Sequence, residues 1–241
     1  MTTPVVVEID HSIATLTIAR EERRNALDHV AMRMLEEALA ECAAKAAGVL
    51  IVTGAGGQSF CAGDDVKAYA ERTREESRAH HERGLRTFDA LERYQGLTIA
   101  AIEGHCIGGG LELALCCDLR FAGTGATFGL PEIPKLDALP SWGGLTRLPR
   151  IVGTGRAKQM AFLGERVGAD EAQRYGLVAR VVEAGEALAS ARAFAADFAG
   201  RVDRDTVDVA KRILNDATAL PPTAGTLVNL LAERSNAFEG A

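Results

Sequence analysis

The sequence predicts an α/β protein, and three features of its 241 residues carry that prediction. Two β-branched segments, residues 5–9 and Ile13–Ile18, are separated by a short polar turn and predict a β-hairpin. The order of strand, glycine-rich loop and helix then recurs, once from residues 49–53 into Asp64 and once from residues 97–102 into Gly109. Alanine-rich helical sequence continues after residue 185. The pattern therefore predicts ββα-type units followed by a helical C-terminal region.

The remaining elements are predicted in chain order from residue periodicity. Asp28 is a plausible N-cap for a helix to about residue 46, with Val30, Met34, Leu35 and Leu39 on one face. Residues 68–94 are rich in arginine and glutamate and predict a solvent-facing helix with a thin apolar stripe. Short helices at 145–152, 156–163 and 169–175 and a strand at 177–182 are predicted next. After residue 185 the helical faces carry six aliphatic residues: Val207, Ile213, Leu214, Leu227, Leu230 and Leu231.

Composition limits the class of protein. The formal net charge of −6 argues against nucleic acid or an anionic membrane as the main partner. The five cysteines are odd in number and lack metal-ligand spacing, which predicts reduced, buried thiols and no bound metal. The N-terminus lacks a signal-peptide pattern, and Glu112 interrupts the most apolar run. We therefore expect a cytoplasmic protein without a membrane-spanning segment.

Residues 99–144 concentrate the groups that could perform chemistry. Gly108, Gly109 and Gly110 follow a strand and begin a helical pattern, so their backbone N–H groups are open to a ligand oxygen. Glu112 lies in the first turn of that helix, and Glu132 follows Pro131 after the next strand. Exposed N–H groups stabilise an oxyanion, and carboxyl groups move protons. The segment therefore predicts an oxyanion site with two carboxylates within reach.

Five segments of this chain together resemble the crotonase (enoyl-CoA hydratase/isomerase) superfamily. Residues 104–122 read G-H-C-I-G-G-G-L-E-L-A-L-C-C-D-L-R-F-A, and residues 60–67 read F-C-A-G-D-D-V-K. Residues 128–133 and 140–148 read F-G-L-P-E-I and P-S-W-G-G-L-T-R-L, and residues 23–27 read R-R-N-A-L. The motifs occur in the family's order and cover roughly residues 5 to 185. The resemblance implies a spiral of ββα units over residues 1–185 and a helical oligomerisation region over 186–241, supporting homotrimers or hexamers.

The resemblance also implies roles for individual residues. The backbone N–H groups of Asp64 and Gly109 would bind the thioester oxygen of an acyl-CoA, and Glu112 and Glu132 would be the catalytic acid and base. Members often have alanine at the position of Asp64, so its carboxylate is expected to point away from the oxyanion. Coenzyme A would be bound by five residues: Arg23, Arg24, Ala26, Ala62 and Lys67. The acyl pocket candidates are Trp142, Asp137 and Leu139.

Each of these residues also has a purely structural interpretation. The glycines could merely permit a tight turn, Glu112 could be a first-turn helix carboxylate, and Glu132 could be a turn acid after proline. His105 is expected to be structural. Cys61 and Cys106 are expected to be small apolar fillers.

The predicted activity is that of an enoyl-CoA hydratase, which adds water reversibly to a trans-2-enoyl-CoA. It needs no cofactor beyond the thioester substrate, and fatty acid or related acyl-CoA degradation is the expected context. Two alternatives remain open: a delta-isomerase that uses Glu132 alone, and a non-catalytic acyl-CoA-binding homologue. The family's loop after Glu132 is one residue shorter and has glycine in its middle, whereas here Pro134 is inserted and Asp137 takes the glycine position.

Overall fold

The computed structural model describes residues 3–216, in which ten strands form two sheets. The larger sheet has the order β1-β2-β3-β5-β7-β10, and the smaller sheet has the order β4-β6-β8-β9. The strands of the larger sheet are β1 (Val5–Asp10), β2 (Ile13–Ile18), β3 (Val49–Gly54), β5 (Leu97–Ile102), β7 (Leu119–Gly123) and β10 (Arg180–Val182). Those of the smaller sheet are β4 (Ser59–Cys61), β6 (His105–Ile107), β8 (Thr127–Gly129) and β9 (Val167–Gly168).

Ten α-helices accompany these strands in the described part of the chain. They are α1 (His29–Ala44), α2 (Val66–Glu71), α3 (Arg74–Glu92), α4 (Gly109–Leu115), α5 (Glu132–Leu136), α6 (Gly144–Val152), α7 (Thr154–Leu163), α8 (Ala169–Arg174), α9 (Ala187–Ala199) and α10 (Arg204–Asp216). None of the helices within residues 3–216 is long and apolar enough to cross a membrane.

The larger sheet is parallel from β2 onward and is buried at its centre. β1 and β2 form the predicted antiparallel hairpin, while β2, β3, β5, β7 and β10 run parallel. Every residue of β5 and all but the last of β3 are buried, as expected where helices cover both faces of a parallel sheet. The main core lies under α1, α3 and α4, and α9 packs three alanines, Ala187, Ala191 and Ala195, onto the other face.

Successive ββα units bring the loops of the predicted site together. β3, β5 and β7 of the larger sheet are each followed by a short strand of the smaller sheet, β4, β6 or β8, and then by a helix. β4, β6 and β8 lie side by side in parallel, so the three loops that leave them are neighbours. Asp64 lies in the first of these loops, and Gly109 and Glu132 begin the helices that follow the other two. The fold therefore supplies the juxtaposition that the motifs implied.

The structure corrects several boundaries and faces. Asp28 caps α1 as predicted, but the helix buries a face centred on Met32, Leu35 and Leu39, whereas Val30 and Met34 lie at its margin. The predicted exposed helix over 68–94 is two helices, because Thr73 forms a capping box with Glu76 that begins α3.

The C-terminal predictions had mixed outcomes. The sequence predicts a strand at 177–182, and the observed strand β10 covers only the last three of these residues. In α10, Val207 and Ile213 are half-buried, whereas Leu214 is 73% exposed. Leu227, Leu230 and Leu231 lie outside the described residues. The division of the chain at residue 185 stays a prediction.

Candidate active site

Two glycine loops meet with their backbones in contact. Gly63 has a φ of +90°, a conformation that favours glycine, and a Cβ there would stand 2.8 Å from the backbone nitrogen of Gly109. A Cβ on Gly110 would overlap the carbonyl of Cys61. Glycine is therefore required at these positions because no side chain fits between the two loops.

The closely packed loops present two free backbone donors, those of Asp64 and Gly109. Among the described residues, no acceptor takes either N–H. Their neighbours are paired: the N–H of Gly108 donates to Gly129 at 2.9 Å, and that of Asp65 donates to Leu27 at 3.3 Å. Two adjacent free donors held by otherwise satisfied loops are the arrangement an oxyanion needs.

The side chain of Asp64 is bound to helices α2 and α3. Arg72 grips its carboxylate with both terminal nitrogens, each at 2.9 Å. His80 Nε2 stands 3.1 Å from Oδ1, poorly aligned for a hydrogen bond, and His81 Nε2 stands 3.8 Å from Oδ2. Burial alone would raise the pKa of Asp64, but the contacts with His80, His81 and Arg72 outweigh it and hold the pKa well below its usual range. Asp64 is therefore ionised and paired.

Glu112 is 2% exposed and is fixed by two backbone donors. Its Oε1 accepts from the N–H of Trp142 at 2.9 Å and from that of Gly144 at 2.7 Å. Burial raises the pKa of Glu112, against the two N–H donors and the charges of Arg147 and His81, which lower it. The loop after α5 thus orients one carboxyl oxygen of Glu112 and leaves the other free of these donors.

Glu132 begins α5 and lies against the turn that precedes Gly109. A Cβ on Gly108 would stand 2.7 Å from Glu132 Oε1, so the carboxyl group lies against the residue that precedes the free donor of Gly109. Burial raises the pKa of Glu132 to about 7, and the charge of Glu112 adds to the rise. Its Oε2 is buried and has no hydrogen-bond partner among the described residues. Glu132 thus keeps its proton to higher pH than an ordinary glutamate, and Oε2 has no hydrogen-bond partner within residues 3–216.

The unusual loop after Glu132 is accommodated without displacing that residue from the site. Pro134 lies in the first turn of α5, where a missing N–H costs no helical hydrogen bond, and it packs against Gly164. Asp137 adopts a left-handed conformation (φ +49°) and ends the helix, with its N–H donating to the carbonyl of Glu132. The glycine of the family pattern suits the same left-handed turn.

The three acyl pocket candidates lie in different environments. Trp142 is 1% exposed and packs against Gly109 and, at 5.2 Å between ring centroids, Phe88. It therefore forms part of the wall between the Gly109 loop and α3. The Asp137 side chain is exposed and Leu139 is 69% exposed. Their part in an acyl pocket stays a prediction.

The five coenzyme A candidates border the Asp64 loop. The N–H of Ala62 donates to the carbonyl of Arg24 at 3.1 Å, which joins the N-terminal motif to the loop. Ala26 is buried, whereas the side chains of Arg23, Arg24 and Lys67 are exposed. Exposed cations beside a substrate loop are compatible with phosphate binding. That role stays a prediction.

The residues expected to be structural have structural contacts. His105 Nδ1 lies 3.0 Å from the Thr127 hydroxyl, and burial lowers its pKa. Cys61 and Cys106 are fully buried, burial raises the pKa of both thiols, and all five cysteines are buried and free of disulfides. Within residues 3–216, no three histidine, cysteine or acidic side chains are grouped to hold a metal ion.

Sequence reasoning missed the residues of α2 and α3 that reach the site. His80 lies on the buried stripe of α3, which continues through Gly84, Phe88 and Leu91. Extending the apolar stripe backward by one helical turn would have identified His80 as buried. Arg72 had no such signal, because it ends α2 and its partner Asp64 is identified only by the fold.

Comparison with known proteins identifies the same architecture. The model of the family described as Enoyl-CoA hydratase/isomerase matches residues 8–230. The chain is 38% identical to the crotonyl-CoA hydratase of Syntrophomonas wolfei over 82% of its length and 75% of that protein. It is also 38% identical to a short-chain-enoyl-CoA hydratase of Clostridium acetobutylicum, over 79% and 73%. The structure of an enoyl-CoA hydratase from Bacillus anthracis superposes with a TM-score of 0.90 at 33% identity, covering 96% of this chain and 90% of that one.

Proposed function

The chain belongs to the enoyl-CoA hydratase/isomerase family, and we propose that it adds water reversibly to a trans-2-enoyl-CoA to give the 3-hydroxyacyl-CoA. The observation that carries this proposal is the meeting of two carboxyl groups, Glu112 and Glu132, with two free backbone donors, Asp64 and Gly109. Relatives with hydratase names at 38% identity support the same activity.

The two backbone donors would stabilise the charge that hydration creates. Attack of water on the β-carbon pushes the electrons of the double bond onto the thioester oxygen, giving an enolate. The N–H groups of Asp64 and Gly109 are free to bind that oxygen. One preplaced donor of this kind is worth roughly 3 kcal/mol of transition-state stabilisation.

The two carboxyl groups would divide the proton transfers. The Glu112 carboxylate, oriented through Oε1 by two N–H donors, takes a proton from the attacking water. Glu132, with a pKa of about 7 and an oxygen that has no hydrogen-bond partner in the described part of the chain, delivers a proton to the α-carbon. The enolate returns to a thioester, and the 3-hydroxyacyl product contains one water more than the 2-enoyl substrate. In the reverse direction the same groups exchange roles.

A panel of three thioesters tests this function. Crotonyl-CoA, a longer 2-enoyl-CoA and a 3-enoyl-CoA are followed by the absorbance of the conjugated thioester. Hydration predicts loss of absorbance from the 2-enoyl esters. A rise from the 3-enoyl ester that survives Glu112→Gln would instead identify an isomerase that uses Glu132 alone. Binding of every ester with turnover of none would identify a non-catalytic acyl-CoA-binding protein.

The wider setting is proposed on the family resemblance. We propose that coenzyme A lies along Arg23, Arg24, Ala26, Ala62 and Lys67, and that the protein works as a cytoplasmic homotrimer or hexamer without a cofactor. Light scattering after gel filtration measures the assembly. A monomer at micromolar concentration would contradict the oligomeric part of this proposal and leave the activity untouched.

A further inference from the structure

Asp64 poses an electrostatic problem that the structure resolves. Its backbone N–H is one of the two free donors, so its carboxylate belongs to the residue that would bind the enolate oxygen. A negative charge close to a developing negative charge destabilises it, since unit charges a few ångströms apart interact strongly in a partly buried site. Unless its charge is neutralised, the Asp64 carboxylate weakens the binding of the oxyanion by the two free N–H donors.

Arg72 neutralises that charge through a bidentate ion pair with the Asp64 carboxylate. Nη1 and Nη2 each donate to a different carboxylate oxygen at 2.9 Å, the bidentate geometry that fixes a carboxylate most firmly. The Arg72 side chain is 7% exposed and that of His80 is 2% exposed, so solvent screens this cluster weakly. His80 and His81 add contacts to the two oxygens from α3.

The neighbouring acid fixes the other side of the same loop. Asp65 caps α2 by accepting from the N–H groups of Lys67 and Ala68, and it pairs with Arg20 at 3.1 Å. Asp64 is therefore held between two anchors, Asp65 toward the N-terminal motif and Arg72 toward α3.

We propose that Arg72, supported by His80, is a positioning residue that neutralises and orients Asp64 so that the Asp64 N–H can serve the oxyanion. This inference rests on the proposed function for the identity of the bound oxyanion. Arg72, at the junction of α2 and α3, would thus affect catalysis although it does not touch the reacting atoms. Replacing Arg72 therefore weakens polarisation of the thioester carbonyl more than it weakens binding.

The test is a double-mutant cycle read by a spectroscopic probe. The variants are Arg72→Met, Asp64→Asn and the double variant, with Arg78→Met as a control for loss of an exposed helix arginine, since Arg78 is 81% exposed. The probe is a CoA thioester of an electron-donor-substituted cinnamate, whose absorption moves to longer wavelength as its carbonyl is polarised. Spectra are taken at saturation, and kcat and KM for crotonyl-CoA are measured separately.

We expect Arg72→Met to abolish most of the red shift and to lower kcat at least about 10-fold, but by no more than the roughly 10²–10³-fold that loss of a whole donor costs. KM should change less than about threefold, so the loss falls on the chemical step and not on uniform binding. In the Asp64→Asn background the same replacement should change kcat less than about threefold, because the charge to be neutralised is gone. Arg78→Met should keep the red shift.

Two results would overturn the proposal: an unchanged red shift in Arg72→Met, or an equal loss in the Asp64→Asn background. If Arg72→Met does not fold, Arg72→Lys keeps the charge without the fork and should give an intermediate red shift; a full red shift would contradict the role of the fork. The probe needs no hydration to report carbonyl polarisation. A red shift that depends on Arg72 in a protein that hydrates nothing would therefore refute the proposed function alone.

Discussion

Two replacements of Glu112, by alanine and by glutamine, should differ in their effect on stability but not in their effect on catalysis. Its Oε1 accepts from two buried N–H groups, those of Trp142 and Gly144. Glu112→Ala leaves both donors without a partner, and each buried unsatisfied group costs about 1–3 kcal/mol, so the loss of stability is about 2–6 kcal/mol. At roughly 2–4 °C per kcal/mol for a chain of this size, Tm should fall by about 4–24 °C. Glu112→Gln keeps a carbonyl oxygen as acceptor and should lose less than about 1 kcal/mol.

Both replacements should remove the proton transfer and lower kcat by roughly 10²–10⁴-fold. Thermal unfolding and crotonyl-CoA hydration measure the two effects on the same samples. Glu103→Ala is the matched control, because Glu103 accepts from the N–H of Ala187 at 2.9 Å and hydrogen-bonds to neither of the two free donors. It should lose stability and keep kcat. The reasoning is refuted if Glu112→Ala is as stable as the wild type, or if Glu112→Gln hydrates at the wild-type rate.

Three further predictions follow from the site. Glu132 has a pKa of about 7 and acts as the acid in hydration, so kcat/KM for hydration should fall as pH rises through 7. Because hydration takes up or releases no proton overall, its equilibrium does not change with pH, and kcat/KM for dehydration should fall in parallel. pH–rate profiles in both directions measure this, and a hydration rate that stays constant above pH 7 would contradict the role of Glu132 as the acid. The pKa of Glu132 is raised on folding from 4.5, so its ionisation should cost about 3 kcal/mol of stability, absent below pH 4.5 and complete above pH 7. The free energy of unfolding of Glu132→Gln, measured in urea, should therefore increase relative to that of the wild type as pH rises. A difference between the two proteins that does not change with pH would contradict the raised pKa. Gly63→Ala combines an unfavourable φ with a Cβ only 2.8 Å from the Gly109 nitrogen and should lower kcat at least about 10-fold. Gly57→Ala is the control, because Gly57 is also at positive φ (+69°) but in open space, and it should have the wild-type kcat. Equal kcat values for the two variants would mean that the two loops need not touch.

The sequence predicts those parts of the fold and site that depend on local pattern. The hairpin of β1 and β2, the buried strands β3 and β5 and the cap at Asp28 depend on residue alternation and turn chemistry, and the structure confirms them. The glycine loops could be located because only glycine permits the contact between Gly63 and Gly109.

Features that depend on tertiary packing could not be predicted from the sequence. The buried face of α1 is rotated from the predicted one, because it includes the small residues Ala31 and Ala38 together with Met32. The ion pair of Asp64 with Arg72 joins a loop to the end of α2, and the raised pKa of Glu132 comes from burial. Neither has a sequence period, so neither can be derived from spacing alone.

The central claim is that Glu112 and Glu132 together hydrate a 2-enoyl thioester over the two free N–H groups. Its most direct test is the initial rate at which wild type, Glu112→Gln and Glu132→Gln remove the absorbance of crotonyl-CoA at saturating concentration. We predict rapid loss with the wild type and a rate at least about 100-fold lower with each variant. Hydration at the wild-type rate by both variants would show that the two carboxyl groups do not perform the reaction.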